Sequence, residues 1–281
     1  MKEKNNTLQQ LLSEAKKRLK VSGAGEYSLD SSLFMMKATG FSKIQLFTKN
    51  DYVLTEEEAE NFENMVSRRE NGEPCQYITG EAFFFGHEFK VNKSVLIPRA
   101  DTEVLVETVL EYKEKYGIKN MLDIGTGSGC IAISLALEGI NMTACDISIG
   151  ALETAEKNAQ LNNADVKFKQ SDVFSAFDGE KFDAVVSNPP YIEKDVIPTL
   201  MREVKDFEPM GALDGGDDGL CFYRQIVHEG KEHLKENGFI FFEIGYNQGK
   251  AIEEIFEKEG FKDIKIIKDL AGLDRVALGR L

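Results

Sequence analysis

Cysteine and histidine are scarce in this chain of 281 residues. The four cysteines, Cys75, Cys130, Cys145 and Cys221, lie far apart with no C-x-x-C pair. That spacing argues against a zinc ribbon and against a disulfide framework. The three histidines give no metal spacing either. His228 and His233 are five residues apart and fall on different faces of a helix. No apolar run approaches the ~18 residues needed to cross a bilayer. The start, Met-Lys-Glu-Lys-Asn-Asn, lacks the apolar stretch of a secretory signal. There is no G-x-S-x-G nucleophile elbow. Gly245-Tyr246-Asn247-Gln248-Gly249-Lys250 is one residue short of a phosphate-binding loop and lacks its Ser or Thr. Basic charge is in deficit, with 34 Lys and Arg against 48 Asp and Glu, a net −14. The deficit lies mostly beyond residue 90. Such a surface repels a phosphate backbone, so direct nucleic-acid binding is not expected. A soluble, cytoplasmic, metal-free monomer is the expectation.

What is present suffices for a packed fold. Hydrophobic residues make up 42% and charged residues 29%, which excludes wholesale disorder. There is no internal repeat and no low-complexity segment. Residues 1–80 read as a small helical domain. Thr7 can cap a helix carrying Leu8, Leu11, Leu12, Ala15 and Leu19 at helical spacing. Ser28 or Asp30 can start a second helix, ending at Gly40. Thr55 with Glu58 forms a capping box for a third, running to Gly72-Glu73-Pro74. Residues 81–97 read as a β-hairpin linker, two short strands around Gly86.

From residue 98 onward helices and strands alternate. Strands are expected at Asn120–Ile124, Asn141–Cys145, Val166–Lys169, Phe182–Ser187 and Phe239–Glu243, then near Ile264–Ile267 and Arg275–Leu278. Helices are expected at Asp101–Tyr116, Cys130–Leu137, Ser148–Leu161, Cys221–Leu234 and Gln248–Glu259. The pattern predicts an α/β fold, a doubly wound, mostly parallel, seven-stranded Rossmann-like sheet covered on both faces.

Four motifs follow strand ends, on one edge of that sheet. The first is Asp123-Ile124-Gly125-Thr126-Gly127-Ser128-Gly129, a glycine-rich turn from strand to helix. Such a turn is the ligand site of a doubly wound sheet, and its glycines let a ligand touch the backbone. The G-x-G-x-G spacing differs from the G-x-G-x-x-G of dinucleotide binders. A carboxylate at Asp123 repels a pyrophosphate and attracts a cation. The plain alternative is a tight turn in which Asp123 bonds loop amides. The second is Asp146, 21 residues past Gly125, where an acid can bind ribose hydroxyls; it could instead cap the next helix, although Ser148 is placed for that. The third is Ser171-Asp172-Val173-Phe174. Asp172 could accept from an adenine amine and Val173 could pack on the ring, or the segment is a polar turn.

The fourth motif, Asn188-Pro189-Pro190-Tyr191, is the sharpest. Two prolines remove two backbone donors, and Pro189 drives Asn188 out of the helical region. The loop is stiff, extended and rich in acceptor oxygens. The Asn188 side chain and a loop carbonyl could hold both protons of an NH₂ group and orient its nitrogen, with Tyr191 stacked on a planar amide or base. The bland alternative is a proline turn with Tyr191 as packing.

These residues resemble the class I S-adenosylmethionine-dependent methyltransferases. More narrowly they resemble the protein-(glutamine-N5) methyltransferases of release factors, the HemK/PrmC family. Beside Asn188-Pro189-Pro190-Tyr191, the likeness rests on Leu96-Ile97-Pro98-Arg99-Ala100-Asp101-Thr102-Glu103, on Glu73-Pro74 with Tyr77-Ile78-Thr79-Gly80, and on Glu208-Pro209 with Ala212-Leu213 and Gly215-Gly216. Glu243-Ile244-Gly245 with Gln248-Gly249, and Asp269-Leu270-Ala271-Gly272 with Asp274-Arg275, extend it over almost the whole chain. Ala100 stands where the family usually has proline, and Val173 where some members have tryptophan.

The resemblance implies a methyltransferase domain over 98–281. The cofactor would be S-adenosyl-L-methionine, leaving S-adenosyl-L-homocysteine as product. Its sulfonium and ammonium suit the Asp123 carboxylate. Asp123, Gly125, Thr126, Gly127, Ser128, Gly129, Asp146, Asp172, Val173 and Asn188 would hold it. The substrate would be the glutamine of a release factor's Gly-Gly-Gln loop. Asn188, Pro189, Pro190 and Tyr191 would bind it, the catalytic group being Asn188, Pro189 and Tyr191. The domain over 1–80 would help hold the release factor. Methylation of an adenine amine in nucleic acid, or of a glutamine in another protein, is the alternative activity. A non-catalytic binder would show degenerate glycines or a broken Asn-Pro-Pro, and both are intact here; a nicotinamide dehydrogenase fits the glycine spacing poorly.

Overall fold

A computed structural model describes residues 7–281. In chain order the first elements are α1 (Leu8–Ser22), α2 (Tyr27–Thr39), α3 (Lys43–Thr48), α4 (Glu56–Glu70) and α5 (Cys75–Thr79). Then come β1 (Glu81–Phe84), β2 (His87–Lys90), α6 (Glu103–Tyr116), β3 (Asn120–Ile124), α7 (Cys130–Leu137), β4 (Asn141–Asp146), α8 (Ile149–Leu161), β5 (Val166–Gln170) and β6 (Phe182–Ser187). The last are α9 (Arg202–Lys205), α10 (Cys221–His233), β7 (Leu234–Glu243), α11 (Gly249–Lys258), β8 (Lys262–Lys268) and β9 (Asp274–Arg280). Among the described residues no helix is long and apolar enough to cross a membrane.

The chain divides into two compact units. One comprises the chain up to Gly80 together with Arg202–Phe207. Its core gathers Leu8, Leu19, Phe34, Met35, Phe62 and Val66 from α1, α2 and α4. The Thr55–Glu58 capping box forms: Thr55 Oγ1 accepts from the Glu58 amide at 3.2 Å, and Glu58 Oε2 from the Thr55 amide at 2.8 Å. Thr7 occupies the position before α1, but its side chain makes no capping bond. Neither Ser28 nor Asp30 caps α2, which begins at Tyr27. Asp30 instead turns into the core, where its carboxylate takes Arg69 Nε at 2.7 Å. Arg69 also donates to Glu203 at 2.8 Å and to the Glu73 carbonyl at 3.1 Å. A buried charge needs such partners, so the pairing overrides the local preference of Asp for a cap.

The other unit, Glu81–Met201 with Glu208–Leu281, holds both sheets. In the β1–β2 hairpin Phe85 and Gly86 both have positive φ, as a two-residue turn between twisted strands requires. The large sheet runs β5-β4-β3-β6-β7-β9-β8. All pairs from β5 to β7 are parallel, and β9 is antiparallel to both its neighbours. Successive residues alternate between two cores. Met121 and Phe241 join Val106, Val109 and Ile131 on one face, while Leu122, Ile240 and Phe242 join Tyr223, Ile226, Ile252 and Phe256 on the other. Each buried phenylalanine contributes about 1.5–3 kcal/mol relative to exposure. β7 begins five residues ahead of the expected Phe239, because Leu234 pairs with Phe182 before a register shift. The chain order reverses between β3 and β6. Their carboxyl ends form the crevice where a doubly wound sheet binds its ligand.

Candidate active site

A cavity of about 1160 Å³, counting the space open to solvent at its mouth, sits at those strand ends. Its floor is the glycine turn. Gly125 and Thr126 donate their amides to the Cys145 carbonyl, both at 2.9 Å, which ties the turn to the end of β4. Gly129 opens α7 with φ +82; a Cβ there would lie 2.9 Å from Ile133 Cδ1 and 3.1 Å from Ala155 Cβ, so only glycine allows α7 and α8 to close on the turn. Asn158, fully buried on α8, donates to the Ser128 carbonyl at 2.8 Å and exchanges two bonds with Lys90 on β2. The hairpin thereby braces the turn from below.

Asp146 ends β4. Its Oδ2 accepts from the Gly127 amide and its Oδ1 from the Ser148 amide, each at 2.9 Å. Ser148 caps α8, accepting from Ala151 at 3.2 Å. Asp146 therefore shapes the turn and faces the cavity at once. Past β5, Asp172 is exposed, and its carboxylate makes no hydrogen bond among the described residues. Val173 is buried at φ +48, a strained conformation for a β-branched residue that costs about 1–3 kcal/mol. Its carbonyl accepts from the hydroxyl of Ser171 at 2.8 Å and from Cys145 Sγ at 3.6 Å, which holds the residue there.

The Asn-Pro-Pro-Tyr loop leaves β6 beside the glycine turn. Ser187 pairs with Ile124 in the sheet, and its hydroxyl donates to the Ile124 carbonyl at 2.6 Å. Asn188 is half-buried; its Nδ2 donates to Thr102 Oγ1 at 3.4 Å, leaving Oδ1 without a partner among the described residues.

Gly125, Thr126, Gly127, Ser128, Asp146, Asp172, Val173, Asn188, Pro189 and Pro190 all line this one cavity. Asp123, Gly129 and Tyr191 do not. Asp123 is fully buried, and its Oδ2 accepts from the Thr126 hydroxyl at 2.7 Å. It supports the turn through that bond, and its Oδ1 is buried without a hydrogen-bond partner among the described residues. Burial pushes its pKa up to about 7, with the neighbouring Asp146 adding to the rise and the Thr126 hydroxyl and Ala132 amide opposing it. Tyr191 packs against the core and donates its hydroxyl to Glu243 at 3.2 Å. Burial first, and then the Glu243 charge, raise its pKa, so the phenol stays protonated.

Several wall residues carry no local sequence signal. Ser94–Arg99 contributes one side of the cavity, although it forms no regular element that periodicity could reveal. Thr102, Phe222 and Ile226 line it as well. Arg99 pairs with the buried Glu208 carboxylate. Among the described residues no group of three or more potential ligands could hold a metal ion.

Residues 10–80 match the family described as PrmC N-terminal domain, and residues 100–204 the family described as methyltransferase small domain. The release factor glutamine methyltransferase of Clostridium botulinum is 42% identical over 279 residues, 97% of this chain and 99% of that one. The chain belongs to the release factor glutamine methyltransferases. The member of this family from Koribacter versatilis is 40% identical over 98% of both chains. A methyltransferase from Pyrococcus furiosus shares the fold, with a TM-score of 0.52 at 20% identity over 77% of this chain and 97% of that one. In this methyltransferase family member, the glycine turn and the Asn-Pro-Pro-Tyr loop are thus two walls of a single cavity. The cavity offers backbone amides, the carboxylates of Asp146 and Asp172, and the Asn188 amide oxygen, which has no partner among the described residues.

Proposed function

We propose that this chain transfers a methyl group from S-adenosyl-L-methionine to the side-chain amide nitrogen of a glutamine in a peptide-chain release factor, the glutamine of its Gly-Gly-Gln motif. The observation that carries the reading is the placement of Asn188 Oδ1, without a partner among the described residues, at the end of β6 directly beside the glycine turn at the end of β3. Family membership and the cavity's chemistry support it.

The residues present fit the cofactor. The turn Gly125–Gly129 gives it side-chain-free backbone, the Asp146 carboxylate suits ribose hydroxyls, and Asp172 with Val173 suits an adenine edge and face. Asp123 acts through Thr126 and the turn. When bound, the cofactor supplies an electrophilic methyl carbon.

The rest is positioning. A glutamine amide has two N–H donors. Asn188 Oδ1 and the Pro189 carbonyl accept them, and the rigid proline backbone keeps those acceptors in place while the substrate nitrogen faces the cofactor. Tyr191 lies behind the loop, where its bond to Glu243 fixes the turn that presents the two acceptors. No strong base is required, because the nitrogen becomes acidic as it is alkylated. The helical unit up to Gly80 helps hold the release factor.

Asn188→Ala tests the reading. Transfer should fall by at least ~100-fold with cofactor affinity little changed, since the loss is of orientation; wild-type turnover in that variant would remove Asn188 from the chemistry.

A further inference from the structure

We propose that Asn158 is a positioning residue for the cofactor, clamping the second half of the glycine turn in the conformation that receives S-adenosyl-L-methionine. The inference rests on the reading above, in which that turn holds the cofactor. Ser128 lines the cavity between Gly127 and Gly129, whose φ angles are +55 and +82. Residues without a Cβ rotate readily. A turn bare enough to take a ligand against its backbone is therefore loose unless its peptide groups are held.

The first half of the turn is held from β4. Gly125 and Thr126 donate to the Cys145 carbonyl, and Gly127 donates to Asp146. The second half depends on one peptide group, that between Ser128 and Gly129. Its N–H donates to the Thr126 carbonyl at 2.8 Å, within the turn itself. Its carbonyl takes Asn158 Nδ2, also at 2.8 Å, from a different element. The two bonds fix both ends of the same peptide plane.

An asparagine side chain carries one acceptor oxygen and two N–H donors in one plane. Asn158 uses all three. Oδ1 accepts from the Lys90 amide at 2.7 Å, and Nδ2 donates to the Lys90 carbonyl at 3.0 Å as well as to Ser128. Only one of the two amide orientations satisfies these partners, because a flip would set N–H against the Lys90 N–H. The hairpin backbone thus dictates which way Nδ2 points, and Nδ2 dictates the Ser128 carbonyl. Asn158 is fully buried, so water cannot replace a lost bond. Ala155 lies three residues earlier on α8, where it sits against Gly129. The same helix face therefore packs the turn and clamps it. Apparent cofactor affinity scales with the fraction of molecules whose turn is in the binding arrangement, and losing the clamp lowers that fraction.

The test compares Asn158→Ala with Asn162→Ala. Asn162 lies one helical turn further along α8 and donates to the Glu88 carbonyl of the same hairpin and to the Asn158 carbonyl, both at 2.9 Å; neither bond reaches the glycine turn. The Kd for S-adenosyl-L-methionine is measured by calorimetry on the full chain, and kcat with a purified release factor at saturating cofactor. N158A should weaken binding about 10-fold while kcat stays within about threefold, since the Asn-Pro-Pro-Tyr loop is carried by β6. N162A should bind within about twofold of wild type. Equal losses of affinity in the two variants would reduce the contact to hairpin packing and overturn the proposal, as would wild-type affinity in N158A. If N158A does not fold, the wild type decides. Solvent exchange of the Asn158 side-chain NH₂, followed by NMR, should slow severalfold when cofactor is added, and an unchanged rate overturns the clamp. A wild type with no measurable affinity for S-adenosyl-L-methionine overturns the reading of the turn, and this inference with it.

Discussion

Gln248 Nε2 donates to the carbonyl oxygen of Tyr191 at 3.0 Å. The same nitrogen donates to the Gly219 carbonyl at 3.2 Å, and the side-chain oxygen accepts from the Gly245 amide at 2.9 Å. One buried amide with three satisfied bonds ties the end of the Asn-Pro-Pro-Tyr loop to two other loops on the same edge of the sheet. A buried amide of this kind is costly to disturb, since any bond it loses is not replaced by water.

Gly219 is where that tie is most sensitive. It has φ +69, and a Cβ there would lie 2.4 Å from the Tyr191 oxygen and 2.8 Å from Gln248 Nε2. Gly219→Ala must displace the loop. The expected result is a kcat lower by roughly 10- to 100-fold with cofactor affinity within a few-fold, because the glycine turn is untouched. Steady-state kinetics beside a binding titration would check it; equal losses in both would contradict the proposed division of the site.

Asp146 is expected to act the other way. Asp146→Ala removes the acceptor for the Gly127 and Ser148 amides, at about 1–3 kcal/mol of lost interaction. Cofactor affinity should weaken about 10- to 100-fold, with turnover at saturating cofactor much less changed. An unaltered Kd by calorimetry would exclude the carboxylate from the ligand site.

Asp123 gives the fold a pH dependence of unusual sign. Its folded pKa, about 7, lies above the ordinary carboxylate range because of burial. Between that range and pH 7 the folded chain binds a proton that the unfolded chain has lost. The stabilisation is complete below the unfolded pKa and disappears as pH rises through about 7, with a slope of at most about 1.4 kcal/mol per pH unit. Asp123→Asn removes the titration and keeps an acceptor for Thr126. The wild-type minus variant stability, from denaturant titrations at pH 5 to 8, should therefore fall as pH rises; a flat difference would show that the carboxylate does not titrate there.

Arg69 bears on stability. It is 5% exposed and holds Asp30 at 2.7 Å and Glu203 at 2.8 Å. Arg69→Ala strands the buried Asp30 carboxylate and should cost about 3–5 kcal/mol. Joint replacement of Arg69 and Asp30 by apolar residues should recover part of that. Urea unfolding of the three proteins would measure it, and a single variant as stable as wild type would contradict the pairing.

The parts of this molecule that could be read in the chain are those governed by local rules. Alternating helices and strands gave the seven-stranded sheet, and motifs at successive strand ends gave one crowded edge, because a parallel sheet puts all its carboxyl ends together. The Ser42–Gln45 capping box that opens α3 follows the same local rule as Thr55–Glu58. Other features have no local signature. Thr102 meets Asn188 across 86 positions and Tyr191 meets Glu243 across 52. Neither pairing has a spacing to betray it, since only the folded sheet brings them together. Asp30 looked like a cap because its partner Arg69 lies 39 residues away. The full burial of Asp123 is likewise invisible in the chain, because polarity alone does not tell which side of a turn a carboxylate occupies.

The central claim is methyl transfer to a glutamine side-chain amide. The most direct measurement is incubation of the protein with labelled S-adenosylmethionine and a purified release factor, followed by mass mapping of the modified residue. One methyl group on the amide nitrogen of the Gly-Gly-Gln glutamine is the expected result. Label on a different residue type, or none on a release factor whose glutamine is accessible, would contradict it.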